Sequence, residues 1–171
     1  VAAVVRSGLT DGTLLVRPVI WPRLNYGVFS NTTDHTPTAI DTAYPIIMDT
    51  VNVASGFSLA NGSHIVASES GLYNFNISAQ LSSTNSSAKN IYFWIRKNGI
   101  DVPYSTRSQT VNGNNTRMTF ACNWTVSLAA GQYVEFFWGV DNITIRLDAS
   151  NGTTFCPTTP SILATVTQTA I

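Results

Sequence analysis

Residues 70–81 read SGLYNFNISAQL, with Tyr73, Phe75, Ile77, Ala79 and Leu81 alternating with Asn74, Asn76, Ser78 and Gln80. A two-residue period sends successive side chains to opposite faces, so the stretch suits a strand with one buried and one polar face. RMTFACNWTVSL repeats the device: Met118, Phe120, Cys122, Trp124, Val126 and Leu128 point one way, while Thr119, Ala121, Asn123, Thr125 and Ser127 point the other. Ala129-Ala130-Gly131 then turns the chain into QYVEFFWGV, where Val134, Phe136, Trp138 and Val140 share a face and Tyr133, Glu135 and Phe137 make the other one mixed. No segment carries a helical stripe.

Adding YGVFSN, AYPIIMDTV, SHIVAS, NITIRLDA and SILATVTQTAI brings the count to about eight to ten short strands, enough for two packed antiparallel sheets. The expected fold is therefore all-β, a two-sheet jelly-roll sandwich. A chain of 171 residues that is 44% hydrophobic can bury a sizeable core. Residues 1–24, with Pro18, Trp21 and Pro22 in RPVIWPRL and no clear period, read as an extended N-terminal arm; residues 25–171 form the domain.

The stretch IYFWIRKNGIDVPYS (residues 91–105) holds Asn98-Gly99, the residue pair a type I′ hairpin turn prefers. With those two at the turn, Arg96 faces Asp101 across the ladder, an opposite-charge pair that fixes register. Ile91, Phe93 and Ile95 then fill the core. Tyr92 and Trp94 are left on the opposite face, which an ordinary surface hairpin keeps wet, so a second burial surface is expected there.

Nine basic and nine acidic residues cancel, and only two of the basic ones are lysines. Without clustered Lys/Arg there is no electrostatic footprint for nucleic acid or an anionic membrane. No stretch approaches the roughly 20 apolar residues of a membrane span, and the first residues lack the apolar core of a signal peptide. Neither nucleic acid nor membrane insertion is expected.

Catalytic chemistry is poorly supplied. The only glutamates are Glu69 and Glu135, and the only histidines, His35 and His64, stand in the polar contexts TTDHTPT and NGSHIVA, where they read as exposed turn residues. Neither a nucleophile elbow nor a phosphate-cradling glycine loop is present. Two cysteines and two histidines, widely scattered, lack the spacing of a zinc site, and the aspartates form no closely spaced calcium loop. We expect no catalytic residue, no cofactor and no metal ligand. Cys122 and Cys156 allow one disulfide or two thiols, and the sequence leaves both open. Eight N-x-[ST] triplets, at Asn31, Asn61, Asn76, Asn85, Asn114, Asn123, Asn142 and Asn151, are candidate glycosylation sites only in a secreted protein.

The order of AYPIIMDTV, ESGLYNFNISAQL, RKNGIDV, LAAGQYVEFFWG and PSILATV resembles the trimeric jelly-roll family of tumour necrosis factor and the complement globular head. Gly71-Leu72-Tyr73-Asn74-Phe75 is similar to that family's Gly-x-Tyr-x-Phe strand, and Leu128 to Val134 to its Leu-x-x-Gly-x-x-Val connection. The resemblance spans residues 25–171. YGVFSN, SLANGSHI and WIRKNG also resemble phrases in jelly-roll virion proteins of tailed bacteriophages, particularly those infecting cyanobacteria. That resemblance implies a non-enzymatic homotrimer on a phage virion. The short arm, in place of a long fibrous stem, favours a compact knob docked on another component.

The leading expectation is a capsid decoration or cement protein at the shell surface rather than the tail, contacting the major capsid protein or another virion protein through arm residues such as Arg17, Trp21 and Arg23. Tyr73, Tyr92, Trp94, Trp124 and Trp138 would divide between the subunit core and the trimer interface. The alternative is a receptor- or glycan-binding tip of a fibre or baseplate, using loops 105–117 and 148–160 on a host-surface glycan; neither loop contains a Trp or Tyr. A secreted cytokine- or complement-like trimeric ligand is the third.

Overall fold

The computed structural model describes residues 24–170 and, in the backbone, a strand pair before them: β1 (Ala2–Ser7) runs antiparallel to β2 (Leu14–Pro18). Of the three arm candidates, Trp21 and Arg23 lie outside the described residues, and Arg17 is described only as a backbone position in β2.

The body is built from β3 (Tyr26–Asn31), β4 (Tyr44–Pro45), β5 (Thr50–Ser55), β6 (Phe57–Ala60), β7 (His64–Ala67), β8 (Gly71–Ser83), β9 (Lys89–Lys97), β10 (Ile100–Asp101), β11 (Arg107–Val111), β12 (Thr116–Leu128), β13 (Tyr133–Val140), β14 (Ile145–Leu147) and β15 (Ile162–Ala170). They form two antiparallel sheets, and no helix occurs among the described residues. One sheet runs β12-β8-β15-β3-β5, with β14 extending the pairing of β8. The other runs β10-β9-β13-β7-β6, with β11 on β9 and β4 on β13. The chain crosses between sheets at β3–β4, β4–β5, β5–β6, β7–β8, β8–β9, β11–β12, β12–β13 and β13–β14, giving a jelly-roll-like sandwich.

The strand total exceeds the sequence expectation because β4, β10 and β14 are only two or three residues long and because AYPIIMDTV is broken. Pro45 has no N–H to continue the ladder; Ile46 N makes one more bond, to Phe136 O at 2.8 Å, before the chain leaves β13 and resumes as β5. Residues 105–117 are not a plain loop either. Arg107 to Val111 pair with Phe93 to Lys89 of β9, an edge position where a polar strand is tolerated.

The core lies where the alternating faces meet. Tyr73, Phe75, Ile77, Ala79 and Leu81 of β8 face Ile91, Phe93 and Ile95 of β9 and Val134, Phe136, Trp138 and Val140 of β13, all of them buried. Aromatic rings bridge the layers: Phe75–Phe136 centroids are 6.2 Å apart at 71°, Trp124–Phe136 5.7 Å, and Phe93–Phe120 4.7 Å in a stacked pair. Each such side chain contributes about 1.5–3 kcal/mol on leaving water, so the interior of this sandwich supplies most of its driving force.

Candidate functional site

Asn98 and Gly99 take φ of 50° and 79°, the left-handed pair a type I′ turn requires. Asp101 pairs with Arg96 in register, and Arg96 Nε donates to Asp101 Oδ1 at 2.7 Å. The same oxygen accepts from Trp94 Nε1 at 2.8 Å. Hydrogen bonding to Arg96 holds the Asp101 carboxyl below the ordinary carboxylate range, burial opposes that, and the Trp94 bond assists it. Arg96 also lies over the Phe137 ring at 3.8 Å, and Trp94 packs on Phe137 at 5.9 Å. Trp94 and Tyr92, both half-buried, thus stand on the outer face of the seven-stranded sheet, partly covered from within their own subunit. Tyr73, Trp124 and Trp138 belong to the core, at 0%, 6% and 1% exposure. The five aromatic candidates therefore divide between the core and one outer surface.

The outer face of the six-stranded sheet is different. Three cross-strand rows run over it. One joins Asn123, Asn76, Thr165, Val28 and Val53; one flanking row joins Ala121, Ser78, Leu163 and Ser30, and the other joins Thr125, Asn74, Thr167 and Tyr26. None of these residues is charged. Val53 and Tyr26 keep 46% and 44% exposure. Asn74 Oδ1 is buried without a hydrogen-bond partner among the described residues. The sheet's charges are gathered at one end, where Arg117 and Arg146 flank Ser82 of β8 and both reach the buried Asp148, at 3.1 and 2.7 Å. Arg146 also sits 3.6 Å from Asp34. Five strands joined by four ladders thus present a neutral outer face. Sequence periodicity exposes this face strand by strand, but only the strand order shows that the neutral faces adjoin.

The histidines are not exposed turn residues. His35 is half-buried, bridges β14 through backbone bonds to Leu147, and sets Nε2 3.1 Å from Ile47 O and Nδ1 3.3 Å from Ser161 Oγ. Burial lowers its pKa, so it serves as a neutral clip between loops. His64 stacks flat on Tyr133 at 3.9 Å and lies 3.2 Å from the buried Glu135, whose Oε1 also accepts from Ser63 Oγ at 3.0 Å. Serine and histidine converge on the same carboxylate oxygen rather than on each other, so the cluster lacks the relay of a nucleophilic triad. Nothing in the local sequence pairs these strands; the contact exists because β7 lies beside β13.

Cys122 and Cys156 are free thiols and form no disulfide. Burial pushes the Cys122 thiol up to about 12, weakly opposed by the charge of Arg107. Since the thiolate is the nucleophile, timed alkylation with iodoacetamide at pH 8, followed by mass spectrometry, is expected to label Cys122 at least about a hundredfold more slowly in the folded chain than in urea. Equal rates would contradict the buried placement. Of the N-x-[ST] asparagines, Asn31 is buried at 4% exposure and donates its side-chain amide to Ile47 O at 2.8 Å, which removes it as a sugar acceptor in the folded chain. No known protein family and no curated protein matches the chain in sequence.

Proposed function

We propose that the chain is a non-enzymatic structural subunit that self-associates through the outer face of its six-stranded sheet, as a trimeric decoration protein of a phage shell. The observation that carries the assembly part is the neutral face: rows of Asn, Ser, Thr, Ala, Val, Leu and Tyr across β12, β8, β15, β3 and β5, with the charges held at one end. Interfaces between copies are depleted of charge at their centres because each buried ion would have to be desolvated. The trimer rests on the resemblance of residues 25–171 to trimeric jelly rolls, and the virion setting on that of YGVFSN, SLANGSHI and WIRKNG to phrases in phage virion proteins. In that setting the protein works mechanically, by adding buried area between shell subunits, without reaction or cofactor.

Light scattering on purified protein is expected to give three chains of 18.5 kDa each. A monomer at micromolar concentration would overturn the assembly reading. In images of the parent particle, density at three-fold or quasi-three-fold shell positions is expected, and density confined to the tail would rule out decoration.

A further inference from the structure

We propose that a cleft on the outer face of the seven-stranded sheet binds the pyranose ring of an uncharged sugar. The cleft, about 470 Å³, lies between two chain segments, 41–43 and 101–104, and its lining includes Tyr92, Trp94, Tyr104, Asp41, Asp101 and Gly139. This volume is within the range of small-molecule sites.

Both walls are fixed. Segment 41–43 is tied to β13 by the bond from Asp41 N to Val140 O, 3.0 Å. It crosses so closely over Gly139 that a Cβ there would meet Thr42 O at 2.9 Å. The opposite wall is anchored by Val102 N to Ile95 O at 3.1 Å, and by Ser105, whose carbonyl accepts from Trp124 Nε1 at 2.6 Å. Between these anchors Tyr104 adopts φ of 62° and is 99% exposed. A bulky side chain in left-handed backbone is strained, and a fully exposed ring gains nothing from packing inside the subunit. Asp41, on the facing wall, is left-handed as well, at φ 50°. Two constrained residues therefore stand at opposite lips of one cleft.

The lining selects the ligand class. Aromatic rings offer flat apolar surfaces to the C–H face of a sugar ring, and ionised carboxylates accept hydrogen bonds from hydroxyls. Two carboxylates and no Lys or Arg line the cleft, which disfavours sialic acid, phosphate or sulfate. A quaternary ammonium is disfavoured too, because Asp101 is already paired with Arg96 at 2.7 Å and a second cation would meet that guanidinium. Asp101 Oδ2 remains free to accept from a hydroxyl, since both bonds it receives fall on Oδ1. The cleft lies on the sheet opposite the proposed assembly face, so the two readings stand or fall separately.

Saturation-transfer NMR on the intact protein, with glucose, galactose, mannose, rhamnose and N-acetylglucosamine at millimolar concentration, tests the site. At least one sugar is expected to bind saturably, with affinity falling about tenfold or more in Tyr104→Ala and also falling in Asp41→Asn, at an unchanged melting temperature. Saturation by none of the five, equal binding by Tyr104→Ala, or binding of sialyllactose or choline in their place would overturn the proposal.

Discussion

For the trimer proposed through the six-stranded sheet, aspartate in place of Asn76 is expected to give folded monomers instead. The two side chains have nearly the same size and shape, so the change is one of charge. Asn76 sits mid-strand in β8, with Asn123 directly across one ladder and Thr165 across the other. In an isolated subunit Asn76 is half-buried, so the new carboxylate keeps part of its hydration and folding stability should fall by only about 1 kcal/mol. In the assembly it is buried among neutral groups, with the nearest charges of the sheet gathered near Ser82, three residue pairs along β8. An unpaired buried carboxylate costs about 3–5 kcal/mol, equivalent to a dissociation constant raised by roughly 10² to 10³ or more. Light scattering across a dilution series reads this directly, and Asn76→Ala, which adds no charge, should keep the trimer. Burial in the assembly raises the pKa of the new carboxyl above its ordinary value of about 3.9. Association is therefore lost at neutral pH and regained as pH falls below that raised value. A variant that stays trimeric at pH 7 would show that the subunits meet elsewhere.

Strand β8 and the 91–101 hairpin were legible in the sequence because their information is local. Alternation assigns Phe75 and Asn76 to opposite faces without any knowledge of neighbours, and Asn98-Gly99 sets the register that pairs Arg96 with Asp101. β11 was not legible: RSQTV has no apolar alternation, and it is a strand only because β9 offers it a free edge. The histidines were misjudged for a related reason. NGSHIVA is polar in sequence, yet His64 is covered by Tyr133 and Glu135, which lie about seventy positions away and arrive through sheet pairing.

The candidate sites divide in the same way. Trp94 stood out as an apolar residue too many, and periodicity correctly assigned it to the face opposite Phe93. What shares that face, the 41–43 segment and Tyr104, depends on how two loops cross β9 and β13. Tyr104 carried a faint signal in Val-Pro-Tyr-Ser, an aromatic just after a proline and just before a polar stretch. Its left-handed backbone could not be read from residue type, because tyrosine has no preference for it.

Phe75→Ala, one residue along the strand from the charge substitution, is expected to cost the fold about 3–5 kcal/mol. The ring is fully buried, meets Phe57 at 6.3 Å and 81°, and meets Phe136 at 6.2 Å and 71°, so it ties β8 to both β6 and β13 of the opposite sheet. Truncation removes its transfer free energy and leaves a cavity that aromatic neighbours anchored in two sheets cannot easily fill. Against a typical domain stability of about 5–15 kcal/mol, that is a large fraction, and it corresponds to a melting point lower by roughly 6–20 °C for a chain of this length. Oligomer formation would stabilise the folded state in a concentration-dependent way and blur the value. The measurement therefore belongs in the Asn76→Asp background, where urea unfolding of a monomer reports the subunit alone. Phe75→Leu in the same background should lose only about 1–1.5 kcal/mol, because most of the volume is kept. A loss below about 1 kcal/mol for Phe75→Ala would mean that the sheets are not packed through this ring. A full loss with association intact in the Asn76 background would separate the face that folds the subunit from the face that assembles it.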